Sequence, residues 1–376
     1  MGQRELNAWQ FGRVTHLFEN YLSEPLLWAG LEGRREGRVW VSDAAHPTAA
    51  LVWSGTECLY AAGGEGDPAW HRTLHETVLA EIVPAVRESG GDFCSLFCFP
   101  NAYTDVLEVV FREQIPLRTP VETFGFDREQ FVEQRERVAL QDGLTWVEMD
   151  EVLLRDTQNA FLAQEIEGYW GSIAAFLDQS YGYAILDGNQ VLSTCYSEAY
   201  GAGTRAMTVL THPEHRRRGL ARAVCTALID RCLADGDEPY WMCDQGNAGS
   251  RRLAERLGFA YAGDQWLLDI PFAPADFYRG LAASFYMPNR MYAKAVEAYE
   301  RAFSAGEGQA EDYYNAAIAS AYAGDEDQAF AHLRTAIRLG GIEEGALQTE
   351  EAFLSLHRTE VWSDLVAFWA DQRRGN

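Results

Sequence analysis

The sequence has little positive charge for its length. Of its 376 residues, 31 are Lys or Arg and 56 are Asp or Glu, so the formal net charge is −25. Nucleic acids and anionic membranes are bound through basic surfaces, and this balance therefore argues against both kinds of partner. It is compatible with a small cationic substrate, although an acidic balance more often serves solubility than recognition.

The sequence also lacks a long apolar run. No segment approaches the roughly 20 apolar residues that a membrane-spanning helix needs. The first ten residues, MGQRELNAWQ, contain no apolar stretch of the kind found in secretory signals. Leu6 stands where a myristoylation motif has Ser or Thr. We therefore expect a cytoplasmic protein.

Cysteine is scattered and odd in number. Seven cysteines lie in segments of regular pattern, which indicates reduced, buried thiols rather than a disulfide framework. The closest pair, Cys94 and Cys98, lies in an apolar strand-like run with no second pair nearby. His71 and His75 have helical i,i+4 spacing, but no third ligand is evident, so a solvated helix face is the better interpretation. We predict no metal site.

The pattern along the chain divides into three regions, and the first covers residues 1–130. It predicts three short strands followed by helix, strand, helix and strand, which is an α/β or α+β unit. The segments are RVWVSD (38–43), AALVWSG (49–55), ECLYAAGG (57–64), a helix over 69–89, FCSLFCFP, a helix over 102–113 and VETFGFD. A charged helical stretch, REQFVEQRERVAL, leads out of this region.

The second region, residues 144–272, predicts an α+β fold with a mostly antiparallel sheet. A strand, LTWVEMD, and a helix over 151–178 precede three alternating strands that are joined by Gly-containing turns. The remaining segments are the helix RGLARAVCTALIDRCLADG, the strand PYWMCD, the helix NAGSRRLAERLGF and the strand WLLDI. Each of these two helices ends at a glycine stop.

The third region, residues 276–376, is helical and contains a 34-residue repeat. Ala295, Tyr299 and Ala302 recur as Ala329, Leu333 and Ala336, and a weaker third copy falls on Ser363, Ala367 and Ala370. This period, with small residues at helix contacts, resembles the tetratricopeptide repeat. A generic helical hairpin is the alternative. We predict an all-α capping domain that offers a surface for a protein partner or for self-association.

The most informative stretch is VLTHPEHRRRGLA, residues 209–221. A strand runs into Thr211, Pro213 ends it, and an arginine-glycine turn leads straight into a helix. Free backbone N–H groups and the helix dipole make such a turn a site for pyrophosphate. Gly219 lets the backbone approach the phosphate oxygens, and Ala221 keeps the next turn narrow. The motif alone is weak; its place between a strand and a helix strengthens it.

A second segment supports this site. Asn247 opens the next helix, after the following strand, and Ser250 lies one turn along it. Both side chains offer hydrogen bonds to a ligand in a cleft between splayed strands. A helix cap and a solvated serine are the alternative interpretations of these two residues.

Residues 181–270 resemble the GNAT superfamily of acetyltransferases, whose acyl-CoA loop is Arg or Gln-x-x-Gly-x-Gly or Ala. The run through STCYS, THPEHRRRGLA, YWMC and SRRLAERLGF is most similar to the zwittermicin A-resistance branch. The resemblance implies that Val209, Leu210 and Thr211 pair with the pantetheine arm of acetyl-CoA. It also implies that Asn247 and Ser250 line that arm, and that the pyrophosphate is held by Arg216, Arg217, Arg218, Gly219, Leu220 and Ala221.

The resemblance extends loosely to the first region, which could be a degenerate copy of the same fold. GGEGDP stands there in place of the arginine-glycine loop and carries acid rather than base. We therefore expect no CoA in the first region, and a packing or acceptor-cleft role instead.

The catalytic groups of the superfamily are harder to place. Many relatives carry a tyrosine acid seven residues after the Asn, where this chain has Ala254. Glutamates common on the neighbouring strands are absent, and Glu198 and Asp244 are the candidate replacements. Leu210 is assigned an oxyanion-type N–H contact to the thioester. Glu165 and Glu167 are candidates for binding a cationic acceptor.

These observations predict a GNAT fold between a divergent GNAT-like unit and an all-α repeat domain. The predicted function is transfer of an acetyl group from acetyl-CoA to the amine of a small molecule, such as an antibiotic or a metabolite. The alternative is a catalytically weak CoA-binding protein that acts as an interaction scaffold through its helical repeats.

Overall fold

The computed structural model describes residues 5–21, 24–135, 143–340, 342 and 344–374. The chain forms two compact units. The first comprises Met1–Val110 with Leu117–Asp269, and the second comprises Phe111–Pro116 with Ile270–Asn376. The first two predicted regions thus share one unit, and the helical third region forms most of the other.

The first unit is built on a sheet of twelve strands in the described residues, in the order β1-β2-β3-β4-β5-β12-β6-β11-β10-β9-β8-β7. Six strands come from the first region: β1 (Glu5–Leu6), β2 (Arg38–Val41), β3 (Ala49–Trp53), β4 (Cys58–Gly63), β5 (Phe93–Phe99) and β6 (Leu117–Phe126). Six come from the second: β7 (Leu144–Glu148), β8 (Gly182–Asp187), β9 (Gln190–Gly201), β10 (Thr204–Thr211), β11 (Glu238–Asp244) and β12 (Phe259–Pro271). The predicted strands are present, but β6 begins four residues and β12 seven residues before the predicted segments VETFGFD and WLLDI, and β1 was not predicted.

The two halves of this sheet repeat one plan and exchange their last strands. In each half, antiparallel strands lead to a parallel pair, β4 with β5 and β10 with β11. The final strand of each half then crosses over: β6 pairs with β11, and β12 lies between β5 and β6. Outward from the β12–β6 pair, the order is β12-β5-β4-β3-β2-β1 on one side and β6-β11-β10-β9-β8-β7 on the other. Strands at the same place on the two sides correspond to one another. The first region is a second copy of the fold, as the sequence suggested.

The longest helix of the second half supports one face of the sheet. This helix is α9 (Leu220–Asp235). The helices that precede it in the chain are α1 (Pro25–Leu31), α2 (Pro68–Thr77), α3 (Val83–Glu88), α4 (Tyr103–Val110), α5 (Arg128–Gln134), α6 (Glu151–Arg155), α7 (Ala160–Trp170) and α8 (Ile173–Gln179). Helix α10 (Ala248–Arg256) follows α9. Val224, Leu228 and Ile229 recur at helical spacing on α9 and are fully buried against the sheet. Burial of each such side chain contributes about 1.5–3 kcal/mol.

The single helix predicted over 151–178 is wrong. The structure has α6, α7 and α8 in its place, because two residues interrupt the helix. Asp156 has extended backbone dihedrals after α6, and its carboxylate accepts a hydrogen bond from the N–H of Gln158. Gly171 ends α7 with a left-handed φ of 74°. The helix predicted over 128–140 is present as α5, while 136–142 lie outside the described residues.

Helix α1 was not predicted, and it packs against strands of the other half. A Cβ added to Gly201 of β9 would lie 2.4 Å from the backbone oxygen of Pro25, so glycine is required for this close approach. Leu26 of α1 packs with Ala199, Ala206 and Tyr240. The first region therefore covers part of the face that carries β9, β10 and β11.

The second unit is helical. Its helices are α11 (Pro274–Gly280), α12 (Tyr292–Ala305), α13 (Ala310–Ala323), α14 (Glu326–Leu339), α15 (Glu344–Thr349) and α16 (Glu360–Arg374). Helices α12 and α14 begin and end 34 positions apart, and the repeated residues Ala295, Tyr299, Ala302, Ala329, Leu333 and Ala336 are all buried. The third copy is wrong, because Ser363 and Ala367 of α16 are exposed. Trp362, Leu365 and Trp369 are the buried residues of α16.

The structure also bears on the predictions of reduced cysteines and of no membrane-spanning helix. All seven cysteines are free thiols. None of the helices in the described part of the chain is both long and apolar enough to cross a membrane.

Candidate active site

A gap opens in the sheet between β10 and β11. These parallel strands pair only at residues 204–206 with 238–240. A bulge between Ala206 and Met207 then redirects β10, and the end of β11 pairs with β6 instead. The backbone of β10 beyond Met207 therefore has a strand on one side and an open cleft on the other.

The register of β10 shows which backbone groups face this cleft. The N–H of His212 donates to Leu192 on β9 at 2.9 Å, so His212 belongs to a hydrogen-bonded pair of the antiparallel ladder. Such pairs alternate along a ladder, and Leu210 therefore also faces β9. Val209 and Thr211 occupy the intervening positions, and their N–H and C=O groups point into the cleft.

An anion-binding turn lies at the end of the cleft. Helix α9 begins after Gly219, whose φ of 81° is left-handed, and no side chain caps its N-terminus. Arg217 is also left-handed, with φ 63°. Arg216, Arg217 and Arg218 are all exposed. The helix N-terminus, its dipole and three guanidinium groups thus offer a site for a phosphate group.

The equivalent place in the first half is closed. Strands β4 and β5 remain paired from 58–62 to 95–99, so no gap opens between them. The carboxylate of Asp67 accepts hydrogen bonds from the N–H groups of Ala69 and Trp70, which occupies the N-terminus of α2. A Cβ on Gly64 would lie 2.5 Å from the Trp70 ring, so this turn is filled by the indole. Only the second half of the described sheet combines an open cleft with an uncapped helix.

A partly buried carboxylate lies beside the cleft. Glu198 on β9 accepts a hydrogen bond from the hydroxyl of Thr208, the residue before Val209. Burial raises the pKa of Glu198, and the negative charges of Glu57 and Glu165 raise it further. The hydrogen bond from Thr208 acts in the opposite direction. A carboxylate with a raised pKa is suited to accept a proton near neutral pH.

The comparisons with known proteins agree with this geometry. The sequence model of the family described as GNAT acetyltransferase matches residues 15–265. The chain belongs to the GNAT acetyltransferase family. The match covers both halves of the twelve-stranded sheet, and membership implies acyltransferase activity.

Two relatives illustrate the similarity. The uncharacterized N-acetyltransferase YdfB of Bacillus subtilis is 25% identical over 256 residues, which cover 68% of this chain and 94% of that protein. The crystal structure of a GCN5-related N-acetyltransferase-like protein from Streptococcus suis has a TM-score of 0.53 at 25% identity. That match covers 70% of this chain and 98% of the other. The helical second unit lies largely outside the family match.

Other GNAT-site residues predicted from the sequence have partners within the protein. Asn247 caps α10, with its side-chain oxygen accepting from the N–H of Ser250 at 3.0 Å. The hydroxyl of Ser250 accepts from the indole N–H of Trp241 at 3.1 Å. Burial raises the pKa of the Cys243 thiol, and a hydrogen bond from the hydroxyl of Ser250 lowers it. Ser250 thus has partners on both sides within the protein, whereas the side-chain amide of Asn247 also carries N–H donors.

The residues predicted to act as GNAT acid or base differ in their exposure to solvent. Asp244 is exposed at the end of β11, at the mouth of the cleft, whereas Glu198 is partly buried. Ala254, at the position of the familiar tyrosine, is fully buried against α9 and the sheet. Glu165 and Glu167 are exposed on α7, and Glu165 accepts a hydrogen bond from the hydroxyl of Tyr196 at 3.3 Å.

One residue cluster in this GNAT loop has the composition of a metal site. His212, Glu214 and His215 each offer one ligand atom, all within 4.8 Å of one another. Nη1 of Arg218 lies 2.7 Å from Nδ1 of His215, however, and Arg216 and Arg217 follow directly. The charge of these arginines opposes a cation and favours an anion at this place.

The sequence analysis predicted a packing or acceptor-cleft role for the first half, but it named none of the residues of that half that lie near β9. Arg35, Glu57 and Cys58 all influence groups on β9 or are influenced by them. The charge of Glu198 is the largest cause that raises the pKa of Tyr169, ahead of burial. The only signal available in the sequence was the partial resemblance of the first region to the second.

Proposed function

We propose that this protein transfers an acetyl group from acetyl-CoA to the amine of a small molecule. The observation that carries the proposal is the cleft between β10 and β11, which leads to the uncapped N-terminus of α9. An extended, amide-containing arm that ends in a pyrophosphate matches both features. The comparisons support N-acetyltransferase chemistry, and acetyl as the acyl group rests on the family.

The residues that bind CoA are proposed from the backbone directions. Residues 216–221 hold the pyrophosphate, and Asn247 and Ser250 line the arm. Val209 and Thr211 pair with the arm like an added strand, because their N–H and C=O groups face the cleft. Leu210 remains among the residues proposed to contact CoA because its side chain is 37% exposed.

We assign the oxyanion contact to Val209 and not to Leu210, for which the sequence had suggested it. Leu210 directs its N–H toward β9, so we assign the hydrogen bond to the thioester carbonyl to the N–H of Val209. This donor would stabilise the negative charge that develops on the carbonyl oxygen during attack. The bulge at Ala206/Met207, immediately before Thr208, sets the direction of the strand.

Glu198 is the proposed general base. The acceptor reaches the site as an ammonium ion with a pKa near ~10 and must lose a proton to become nucleophilic. Glu198 takes this proton, directly or through one water. The amine nitrogen then bonds to the carbonyl carbon, the carbon–sulfur bond breaks, and the thiolate of CoA leaves with the electron pair. The second proton of the nitrogen passes to this thiolate, so the products are the amide and the free thiol of CoA. Asp244, at the mouth, is the second candidate for proton transfer.

The finer predictions from the sequence remain parts of this proposal. They are similarity to the zwittermicin A-resistance branch, an antibiotic or metabolite amine as acceptor, a tetratricopeptide-like second unit, cytoplasmic location and boundaries near 130, 144, 272 and 276. The scaffold alternative is not favoured, because a carboxylate with a raised pKa lies beside the open cleft.

The test is direct. Purified protein is mixed with acetyl-CoA and a panel of amines, and release of the free thiol is followed together with the mass of the products. Acetylated amine that forms in step with thiol release supports the proposal. Tight CoA binding without turnover on any amine would instead support the scaffold.

A further inference from the structure

An arginine from the first half lacks a partner for one of its nitrogens. Nη1 of Arg35 is buried, and among the described residues it has no hydrogen-bond partner. A guanidinium carries five N–H donors and no acceptor, and a buried donor is ordinarily paired. The adjacent Arg34 shows the ordinary case, because its Nε donates to Glu32 at 2.6 Å.

The surroundings of Arg35 place it at the acceptor side of the cleft. Its positive charge lowers the pKa of Glu198, and the charge of Glu198 acts on Arg35 in return. Glu57, Cys58 and Tyr60, on or just before β4, also act on it electrostatically. Arg35 therefore lies within electrostatic range of Glu198, whereas the arginine-glycine loop follows the far end of β10.

We propose that Arg35 binds a carboxylate on the acceptor, so that the substrate is an amino acid or another small amino-carboxylate. The inference rests on the proposed function. Glu198 takes the proton of the amine, and Arg35 holds the carboxylate through the unpaired Nη1 and its neighbouring N–H groups. A guanidinium matches a carboxylate in shape and charge.

The carboxylates around the site make this pairing selective. Glu57, Glu165 and Glu198 favour the ammonium end of the substrate, and Arg35 is the cation identified among them. A zwitterion meets both signs of charge at once, whereas a simple amine leaves Arg35 without a counter-charge. The first half thus contributes specificity for the acceptor, although its own cofactor turn is closed.

The test compares amino acids with their carboxamides, which keep the amine and lose the negative charge. Acetyl transfer from acetyl-CoA to the twenty amino acids and the corresponding carboxamides is measured for the wild type, Arg35→Gln and Arg35→Lys. We expect at least one amino acid to be preferred over its carboxamide by roughly ten- to hundredfold in kcat/KM. In Arg35→Gln this preference disappears, while the KM for acetyl-CoA is unchanged. Arg35→Lys retains part of the preference.

Arg34→Gln is the matched control, because it removes the neighbouring guanidinium from an exposed ion pair. It should leave the preference intact. Arg35→Gln removes a positive charge that interacts with Glu57 and Glu198, so its melting temperature is compared with that of Arg35→Lys, which keeps the charge. Loss of the preference in both variants, together with a large drop in melting temperature, would indicate a structural role and overturn the proposal.

The two proposals fail in different ways. Equal or better acetylation of carboxamides by the wild type overturns the role of Arg35 and leaves the acetyltransferase standing. If no amine of either kind is acetylated, calorimetric titration of the same amino acids into the CoA-bound protein decides. Binding that Arg35→Gln abolishes supports the carboxylate site without the enzyme, and absence of binding overturns it.

Discussion

The hydroxyl of Tyr240 donates a hydrogen bond to the carboxyl group of Glu24 at 3.1 Å, and both side chains are buried. Glu24 directly precedes α1 in the first half of the sheet, whereas Tyr240 lies on β11 in the second. Burial raises the pKa of Glu24 to about 8, although the hydrogen bond from Tyr240 lowers it. This carboxyl group joins the two halves and carries a proton at neutral pH.

The pair predicts a pH dependence of stability. Between the ordinary pKa of 4.5 and the folded value of about 8, the folded protein holds a proton that the unfolded chain has lost. Stability from this group is therefore complete below pH 4.5 and falls by about 1.4 kcal/mol per pH unit up to the folded pKa. Glu24→Gln, which is always neutral, should remove this fall. Urea unfolding at about pH 5 and about pH 8, on either side of most of this interval, measures the difference.

The contrast between the two pH values is decisive. The variant should resemble the wild type at the lower pH and exceed it in stability at the higher one. Glu113→Gln, which replaces an exposed glutamate, is the control and should not reproduce this pattern. Parallel stability curves for Glu24→Gln and the wild type would refute the raised pKa.

Gly219 is predicted to be indispensable for CoA binding. Its φ of 81° is left-handed, and a valine there would be strained by about 1–2 kcal/mol and would displace the loop from the phosphate. We expect Gly219→Val to lose CoA affinity by tenfold or more, as measured by calorimetry.

The opposite end of the same helix provides the control. Gly236 has φ 86° and open space where a Cβ would lie, so Gly236→Val carries a similar strain away from the cleft. Both variants should show similar losses of melting temperature, and only Gly219→Val should lose affinity. Equal CoA affinity in the two variants would contradict the loop assignment.

Glu198→Gln should lower kcat by about 10²–10⁴-fold without changing the KM for acetyl-CoA, because the base is removed and the cofactor cleft is not. The active form is the ionised carboxylate, so activity should rise as pH increases through its raised pKa. Thr208→Val removes a hydrogen bond that lowers this pKa and should shift the rise to higher pH. In a Glu198→Gln background this shift should vanish; a shift that persists would assign the pH dependence to another group.

The sequence predicted the local parts of this protein well. Strands with alternating residues, the helix after Gly219 and the 34-residue spacing of α12 and α14 are set by periodicity and by turn residues close in the chain. The loop proposed to bind CoA could be identified in the sequence because its residues are consecutive. The break at Gly171 was missed, since a single glycine within a helical pattern is often tolerated.

The long-range features could not be read in this way. The exchange of β6 and β12 pairs residues far apart, such as Val121 with Gln265, and no local pattern encodes it. Glu24 likewise contacts Tyr240 of β11 although the two residues are 216 positions apart in the chain. The direction of the Leu210 backbone required the register of the ladder, because a shift of one residue reverses which groups face the cleft.

The closed turn of the first half predicts a single CoA site. Asp67→Ala removes the cap on Ala69 and Trp70 and should cost about 1 kcal/mol of stability. Calorimetry should nevertheless give one CoA per chain for both proteins, because β4 and β5 remain paired. Two sites per wild-type chain would show that the first half also binds the cofactor.

The central claim is that the cleft beside Glu198 carries out acetyl transfer to an amine, and the most direct measurement is thiol release coupled to mass analysis of the products. With acetyl-CoA and a panel that includes amino acids and simple amines, the account predicts one acetylated product for each thiol released, and a large loss of both in Glu198→Gln. Saturating CoA binding with no acetylated product from any amine would contradict it.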